Sequence, residues 1–538
     1  MAITDGNGDL VPSKNPASIS AANWGAVRAA MNLFRDASEW GVTYDSSVDS
    51  STEAQAAIDA NKGGFLVFSK DFMAKDLKMD DSTYNGTTII MEGRMYLAGN
   101  GSANTPGLAV PAGLYIGPVA DVTLHFRGHG NRLNMTVREQ ISLLVLAGCT
   151  NLNIPEFDAV ECRGDGVYMT HTGSGSLGDY CDGVHFGRFR AVNSATDGRN
   201  GLTIITGKNI VVDDYYSNRF GHLVGGGSMP GGIDIEPNNL YELVENVQIG
   251  KAFIRTVGTA GFAVHGQSSK LTVNVTCANL VIENYVDPFI DDQNSNTTQA
   301  STTRLIRVAN ARQVKISAVG RFINAYGVGL EIQGSDDCNI ALQATKVHYG
   351  LYAGGVAVYG GAKDCDRCRL DVVATDVSRY GAYVANLFDC VVAGTVSDPK
   401  TAFYTNRFGV YCAETLTRTR FEMGVEYSAD WTRAYRNAAA TYTSVVLNGV
   451  DLSAFTTVNN RVDDTVMKRT NSPGASDGTA QPNDGSWVQG QFYQDTASSK
   501  TANGNIRTGW LRLTTGAANV AGTDWEPVYQ PTTDVSHA

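Results

Sequence analysis

Short apolar strands that open with a glycine recur along the middle of the chain. Within each strand the positions one and three after the glycine are apolar, which is the period of two that a half-buried strand requires. From residue 201 onward the strands begin about 25–31 residues apart, with one longer interval that holds a polar insertion at 291–302. The glycine-opened strands begin at residues 166, 201, 232, 261, 329, 355, 381 and 409, and the segment 304–310 takes the same place without a glycine.

A repeat of this length predicts one turn of a parallel β-helix, which buries its apolar side chains only by stacking on the next turn. A second apolar strand follows most of the glycine-opened strands, whereas the leucine and asparagine pattern of leucine-rich repeats is missing. We therefore predict an all-β protein whose main body is a right-handed parallel β-helix over 39–455. A short helical segment within 1–38 precedes it in this prediction, and a small β module over 456–538 follows.

Composition narrows the classes of partner. The formal net charge of −12 disfavours nucleic acid and anionic membrane surfaces, because both attract basic proteins. No apolar run reaches the ~18 residues of a membrane-spanning helix, and the first residues do not read as a secretory signal. We therefore expect neither nucleic-acid binding nor membrane insertion.

The nine cysteines are an odd number without paired spacing, which favours free thiols and synthesis in a cytosol. Three of them, Cys338, Cys368 and Cys390, begin the second strand of consecutive repeats and predict an inward ladder of small apolar side chains. The CxxC at 365–368 has no second pair at zinc spacing, so we expect no metal site, and no cofactor motif is present.

The positions two and four after each glycine point outward if the apolar positions point inward. Acids, a histidine and several tyrosines gather there, and this mixture suits a sugar-binding groove, since rings contact sugar C–H groups and polar groups bind hydroxyls. In this alignment Ile306 and Val308 also take outward positions. The candidate substrate-binding residues in these columns include Tyr168, Glu331, Tyr359 and Tyr383.

The strongest chemical signal is the acid pair Asp234 and Glu236 in the segment 231–239, which reads GGIDIEPNN. Two residues of strand separate their Cα atoms by roughly 6.5–7 Å on one face. Inverting glycosidases hold their acid and base about 6.5–9.5 Å apart, and retaining enzymes about 5–5.5 Å, which rotamers could still reach. We therefore predict that both carboxylates are catalytic. The structural alternatives are solvated surface acids, or acids that stabilise the turn at 237–238.

Further candidate substrate-binding groups are expected near this pair. His265 falls one turn further on in the column of Glu236, about 4.8 Å away at the level of the strands. Asp197 and Arg199 lie in a glycine-bounded turn beside the same face, although ordinary turn chemistry also accounts for them. Glu331 is three turns from Glu236, roughly 14 Å, which is too far for pairing but suits another subsite.

Residues 39–68 resemble the beginning of pectate-lyase-like β-helix proteins of bacteriophages, in which an Asp-rich turn, a short helix and a glycine pair precede an apolar strand. The turn at 42–48 departs from the usual pattern because it contains no glycine. The match supports the fold and says little about substrate. The matching residues are Asp45, Asp49, Thr52, Ala54, Gln55, Ala57, Ile58, Ala60, Gly63, Gly64 and 66–68.

The end of the chain resembles the small β modules of many tailspikes, and the string GIDIEP at 232–237 is similar to one in capsule-degrading tailspikes. The chain thus resembles bacteriophage tailspikes over about 39–529. The resemblance implies a homotrimer that is attached through its N-terminus to a phage tail or another tail fibre. It also implies that the C-terminal module serves trimerisation or carbohydrate binding. Such a virion protein is made in the host cytosol and acts outside the cell on a bacterial surface polysaccharide. The matching C-terminal positions are Trp487, Gly490, Gly509, Trp510, Arg512, 514–516 and 522–525.

Three functions fit these observations. The first is a polysaccharide depolymerase that hydrolyses glycosidic bonds with the carboxylate pair. The second is a polysaccharide lyase on the same fold, in which His265 or a tyrosine removes a proton from a uronic acid. The third is an adhesin that binds the polymer and leaves it intact.

Overall fold

A computed structural model gives the structure of the chain in a series of ordered segments. The predicted helical segment before residue 35 lies outside them. The described residues are 35–99, 112–135, 141–172, 180–195, 198–223, 227–228, 230–239, 242–256, 258–266, 272–285, 303–323, 326–354, 364–398, 407–425, 433–437, 442–443, 446–447, 450–451, 475–478, 492–495, 506–513, 523 and 525–530.

The main body is a right-handed parallel β-helix, as the repeat predicted. Each coil contributes strands to stacked columns, and nearly all neighbours within a column pair in parallel. The longest strands form column A. Its strands are Arg35–Asp36, Phe65–Phe68, Phe72–Ala74, Thr88–Met91, Met95–Leu97, Thr123–His129, Thr150–Val160, Cys181–Val192, Gly207–Phe220, Val244–Thr256, Thr272–Asn284, Lys315–Phe322, Asn339–Ala353, Arg369–Val384, Val391–Val396, Arg420–Val425 and Val446–Leu447.

Column B carries the glycine-opened strands. The two longest strands of column A, Asn339–Ala353 and Arg369–Val384, bend round a corner so that their second halves belong to column B. The other strands of column B are Leu77–Met79, Ala112–Ile116, Ser142–Ala147, Val167–Thr170, Leu202–Ile204, Gly231–Ile235, Ala260–His265, Arg304–Ala309, Gly327–Gln333, Phe408–Cys412 and Arg433–Asn437.

Short strands close the coils and form column C, which consists of Cys365–Asp366, Leu387–Phe388, Leu416–Thr417 and Tyr442–Thr443. The strand Ala311–Arg312 pairs with the start of Thr272–Asn284 and is connected to column C by bridges through Asp336. Antiparallel pairing joins His222–Leu223 to Gly227–Ser228, and Val450–Asp451 to column A. A separate four-stranded sheet lies within the predicted C-terminal module and buries Trp510. Its strands are Ala475–Gly478, Phe492–Asp495, Ile506–Arg512 and Trp525–Gln530.

Among the residues that the structure describes, helical structure is confined to short segments. The one α-helix of the described residues, α1 (Ser51–Ala60), is the helix that the N-terminal motif predicted, and it packs Ala54, Ala57 and Ile58 into the core. No helix in the described part of the chain has the length and apolar character needed to cross a bilayer. The 3-10 helices are Ala37–Trp40, Ser82–Tyr84 and Arg132–Asn134.

One continuous hydrophobic core runs along the β-helix axis from Ala37 to Val425. Equivalent positions of successive coils stack in it because parallel strands repeat at about 4.8 Å. An aromatic stack shows this most clearly, with ring centroids 5.3, 4.6 and 4.8 Å apart along the series Phe126, Phe157, Phe189 and Tyr215. The stacking confirms that each coil depends on its neighbours for burial.

The corner between columns C and A is built from residues with left-handed backbone conformation. Asparagine tolerates this conformation, and its side-chain amide can bond to the next coil. Asn274 Nδ2 donates to Asn246 Oδ1 at 2.8 Å, and Asn246 Nδ2 donates to Asn209 Oδ1 at 3.1 Å. All three have a positive φ between 50° and 58°. The ladder fixes the register of the coils that carry the acid pair.

The glycines that open the column B strands are required by the close approach of the next coil. A Cβ atom on Gly232 would lie 2.1 Å from the carbonyl oxygen of Gly261, and one on Gly350 would lie 2.5 Å from that of Gly381. The glycine column therefore passes through Gly350. The sequence analysis placed residue 355 in this column, and that placement is wrong. The segment 355–360, which contains Tyr359, lies outside the described residues.

The strand without a glycine was placed one residue out of register. In the structure Ile306 pairs with Phe262 and Leu330, and both Ile306 and Val308 are buried in the core. The prediction that these two residues point outward is therefore wrong, and Arg307 takes the outward position. This strand has no opening glycine to mark its register, and only the alternation of apolar and polar residues does so.

All nine cysteines are buried free thiols. Cys338, Cys368 and Cys390 stack on consecutive coils, with Cys368 N donating to Cys390 Sγ at 3.4 Å, which confirms the predicted inward ladder. Burial raises the pKa of Cys277 and Cys365 to about 12.

We expect these thiols to be unreactive in the folded protein, because only an accessible thiolate attacks a disulfide reagent. An aromatic disulfide reagent should label almost no thiol in native buffer and nine per chain in denaturant without reductant. Fewer than nine after unfolding would reveal a disulfide and contradict the assignment of free thiols.

Candidate functional site

The outward side of column B carries the candidate residues in two rows, which together we call the column B face. Strand register defines the rows, since Thr203 and Ala263 flank Asp234 on the neighbouring coils. In coil order the first row contains Tyr168, Thr203, Asp234, Ala263, Arg307, Glu331, Tyr352, Tyr383 and Tyr411, and the second contains Thr170, Ile205, Glu236, His265, Ala309 and Gln333.

Asp234 lies in the strand Gly231–Ile235 and points away from the core, yet it is completely buried. Asn200 Nδ2 donates a hydrogen bond of 3.3 Å to Asp234 Oδ2. The other oxygen, Oδ1, is buried and has no hydrogen-bond partner among the residues that the structure describes. The alternative of a solvated surface acid is therefore wrong for Asp234.

Asn200 determines which oxygen of Asp234 accepts a hydrogen bond. Gly231 N donates to Asn200 Oδ1 at 2.7 Å, so the amide nitrogen of Asn200 must face Asp234 Oδ2 and Thr203 Oγ1. Oδ2 is thus an acceptor, and a proton on this carboxyl sits on Oδ1.

The environment of Asp234 favours the protonated acid. Burial raises the pKa of Asp234 well above its ordinary value of 3.8, and the charge of Glu236 raises it further. Arg199 and Arg307 oppose this rise but are weaker than the loss of water. A carboxyl of this kind keeps its proton toward neutral pH and can act as a general acid.

Glu236 follows the strand directly and is partly accessible, with 20% of its side chain exposed. His265 Nδ1 lies 3.7 Å from Glu236 Oε1, on the neighbouring coil where the sequence alignment placed it. Burial lowers the pKa of His265, and Glu236 only partly opposes this, so the imidazole is neutral at neutral pH. The face therefore holds a buried acid that favours its protonated form, a partly exposed glutamate and a neutral imidazole side by side.

The turn after Glu236 is held by a different carboxylate. Glu242 Oε2 accepts a hydrogen bond of 2.8 Å from Asn239 N and another from Asn238 N. Glu242 Oε1 accepts a hydrogen bond of 3.0 Å from Asn239 Nδ2. Glu242 thus stabilises this turn, a role that the sequence had suggested for Asp234 or Glu236.

Arg199 reaches the face from the turn before the strand Leu202–Ile204. Its Nη1 donates to Asp165 Oδ2 at 2.8 Å, and the side chain is only 11% exposed. Asp165 is fully buried, and its Oδ1 also accepts a hydrogen bond of 3.0 Å from Asn200 N. Burial raises the pKa of Asp165 while Arg199 opposes the rise. Asp197, the predicted neighbour of Arg199, lies outside the described residues.

Glu331 lies three coils beyond Asp234, as predicted, and is paired with two arginines. Arg304 Nε donates to Glu331 Oε2, and Arg307 Nε lies 3.6 Å from Glu331 Oε1. The two arginine side chains are 15% and 17% exposed and the glutamate side chain 4%. Glu331 therefore positions the two guanidinium groups at the edge of the face.

Aromatic side chains occupy the N-terminal end of the face. Tyr168 is half-buried against Tyr115, Val145 and Ala147, and burial raises the pKa of Tyr168 to about 12. Its hydroxyl is therefore protonated at neutral pH and available as a hydrogen-bond donor.

A larger aromatic cluster occupies the C-terminal end. Tyr383 lies between Tyr352 and Tyr411, with ring centroids 4.8 and 5.3 Å apart and nearly parallel planes. Both faces of Tyr383 are therefore occupied, so it can offer a sugar only its ring edge and hydroxyl. Val328, Tyr349, Tyr380 and Phe408 support the stack.

Sequence reasoning missed Arg307 and Tyr352 as members of the face, and it missed Arg304 and Asn200 as groups that contact it. A signal for Arg307 was present, because it stands between the apolar residues Ile306 and Val308 and must point away from them. Asn200 could be placed near the face but not assigned a bond, since its partner Asp234 is distant in sequence.

No metal site accompanies these groups in the described segments, where no set of three or more His, Cys, Asp or Glu side chains is arranged to hold an ion.

Comparison with known proteins finds no match in sequence and only distant likenesses in structure. No family model matches the chain, and no curated protein is significantly similar to it in sequence. Among solved structures, the mannuronan C-5 epimerase AlgE6 A-module of Azotobacter vinelandii is 14% identical, covering 77% of this chain and 98% of its own, with a TM-score of 0.35.

Two further structures give the same picture. The family 28 exopolygalacturonase of Yersinia enterocolitica is 10% identical and covers 78% of each chain, with a TM-score of 0.37. The surface adhesin PfbA of Streptococcus pneumoniae is 11% identical, covering 77% of this chain and 91% of its own, with a TM-score of 0.32.

We expect Asp234→Asn to stabilise the protein at neutral pH, because an amide replaces an acid that must hold its proton in the folded state. The pKa of Asp234 is higher in the folded protein than its unfolded value of 3.8, so protonation of Asp234 stabilises the folded state at low pH. This stabilisation is complete below pH 3.8 and is lost as the pH rises through the pKa of the folded state. The gain in unfolding free energy should be on the order of 1 kcal/mol at pH 7 and vanish near pH 4.

Thermal and denaturant midpoints across this pH range measure the effect, and Asp371→Asn on the outer side of column A is the control. A loss of stability at neutral pH in Asp234→Asn would show that the folded protein prefers a carboxylate at this position.

Proposed function

We propose that the chain is a bacteriophage tailspike that binds a bacterial capsular or other surface polysaccharide and cleaves it by glycosidic hydrolysis. The single observation that carries the proposal is the acid pair on the column B face. Asp234 is buried and favours its protonated form, while Glu236, two positions along, is partly exposed. Two carboxyl groups whose environments differ in this way suit a general acid and its partner base.

In the proposed reaction Asp234 donates the proton on Oδ1 to the leaving glycosidic oxygen. Glu236 acts on the opposite side of the bond, either by activating a water molecule or by attacking the anomeric carbon. The strand holds the two Cα atoms roughly 6.5–7 Å apart. Since Asp234 has no exposed surface, the groups that cover it must move before the polymer can reach it, whereas Glu236 is partly exposed.

The surrounding groups support this division of roles. Asn200 keeps Asp234 Oδ2 as an acceptor and so leaves the proton on Oδ1. Arg199 pairs with Asp165 and orders the turn, and its charge opposes the rise in the pKa of Asp234 less strongly than burial produces it. His265 beside Glu236 provides a neutral donor or acceptor for a sugar hydroxyl or the attacking water.

The tailspike assignment rests on the sequence resemblance described above and on the β-helix itself. It includes a homotrimer, attachment to a phage tail or another tail fibre through the N-terminus, and a place in the virion tail outside the host cell. Light scattering that gives the 57.4 kDa mass of a single chain would contradict the trimer.

A polysaccharide lyase is the second candidate, and the contact between His265 and Glu236 favours it. A neutral imidazole can remove the proton next to a uronic acid carboxylate, and Arg307 can neutralise that carboxylate. A lyase product contains a carbon–carbon double bond that absorbs ultraviolet light, whereas a hydrolase product does not.

We expect Asp234→Asn and Glu236→Gln each to lower the depolymerisation rate at least ~100-fold, which is the usual effect of losing a positioned acid or base. Asp371→Asn on column A is the matched control and should keep the wild-type rate. Polymer size against time, on a panel of purified capsular polysaccharides and at matched folded concentration, gives the measurement.

The same assay separates the candidates. His265→Ala should slow hydrolysis less than either acid variant, whereas a loss as large as theirs with an ultraviolet-absorbing product would establish the lyase. If both acid variants keep more than about a third of the wild-type rate, the catalytic site lies elsewhere. Binding of the polymer without any loss of polymer size would indicate that the protein is an adhesin.

A further inference from the structure

Two arginines share one carboxylate on the column B face. Arg304 and Arg307 both direct Nε at Glu331, and Glu331 is nearly buried between them. Two guanidinium groups therefore meet a single carboxylate at this level of the β-helix.

A buried amide beside this group also points to a ligand. Gln333 lies two residues after Glu331 on the same strand and therefore on the same face. Its side chain is 3% exposed, and Oε1 has no hydrogen-bond partner in the described part of the chain. A buried acceptor without a partner is unfavourable unless a donor arrives, and a sugar hydroxyl is such a donor.

The arginine pair lies close to the acid pair along the axis. Arg307 is two coils beyond Asp234 in the same row, roughly 10 Å at the strand spacing, with only Ala263 between them. The charge of Arg307 acts on Asp234 across this distance and opposes the rise in its pKa. A polymer that lies along the face would meet both sites.

We propose that Arg304, Arg307 and Gln333 form a subsite for a carboxylate-bearing sugar of the polymer, next to the acid pair. The proposal rests on the proposed function and deepens it by naming the substrate class: an acidic polysaccharide that contains a uronic acid or a similar carboxylated unit. Guanidinium groups match the planar geometry of a carboxylate, and Gln333 Oε1 accepts from a neighbouring hydroxyl.

The test measures binding without cleavage. Glu236→Gln protein serves as the background, and the probes are purified acidic capsular polysaccharides, each used in its native form and after chemical reduction of its carboxylates to alcohols. We expect at least one native polymer to bind, and carboxyl reduction to weaken that binding about tenfold or more. Phosphate groups survive the reduction, so an effect of reduction identifies the carboxylate.

Variants on the same background locate the subsite. Arg307→Gln should weaken binding of the native polymer about tenfold and abolish its preference over the reduced polymer, and Arg307→Lys should lie between. Arg321→Gln is the matched control, because Arg321 and Arg255 also share one carboxylate, Glu283, on the outer side of column A. It should change binding less than about twofold. Equal thermal midpoints show that the variants are folded.

Three results would overturn the subsite: binding that carboxyl reduction does not change, a preference that survives in Arg307→Gln, or binding of neutral polymers alone. These failures are distinct from failure of the proposed function. A wild-type protein that shortens only neutral polymers contradicts the subsite but keeps hydrolysis. A protein that binds acidic polymers through Arg307 and shortens none keeps the subsite and contradicts hydrolysis.

Discussion

The register between successive coils is the constraint on which every other feature of this protein depends. Parallel strands stack at about 4.8 Å, so each outward side chain lies directly over its counterpart in the next coil. Residues far apart in the sequence become neighbours for this reason alone, as with His265 and Glu236. The asparagine ladder at Asn209, Asn246 and Asn274 and the glycine column fix this register near the acid pair.

Register also explains how a buried acid can be maintained on an outward face. Burying a carboxyl group away from water is unfavourable in free energy. Here the hydrogen bond from Asn200 and the preference for the protonated form of Asp234 reduce that unfavourable term. The neighbouring coils supply ion pairs that are already neutralised, such as Arg199 with Asp165. Burial of this kind is unfavourable for folding, which is typical of groups retained for chemistry rather than for stability.

The sequence was sufficient for the fold because a solenoid repeats one physical solution many times. The alternation of apolar residues and the opening glycines both follow from stacking, and the positions of Asp234, Glu236 and His265 on one face follow from counting along strands. Counting residues along the repeat failed where the opening glycine was missing, so Arg307 was not recognised. It also failed where a long strand bends round a corner, so Tyr352 was not recognised. The burial of Asp234 could not be read from the sequence, because it arises from groups on other coils.

The most direct test of the catalytic assignment is the structure of Glu236→Gln protein with an oligosaccharide of the polymer that it binds. The assignment predicts a sugar chain along the column B face, with a glycosidic oxygen about 2.6–3.2 Å from Asp234 Oδ1. An oligosaccharide bound elsewhere on the protein, with Asp234 still covered, would contradict it.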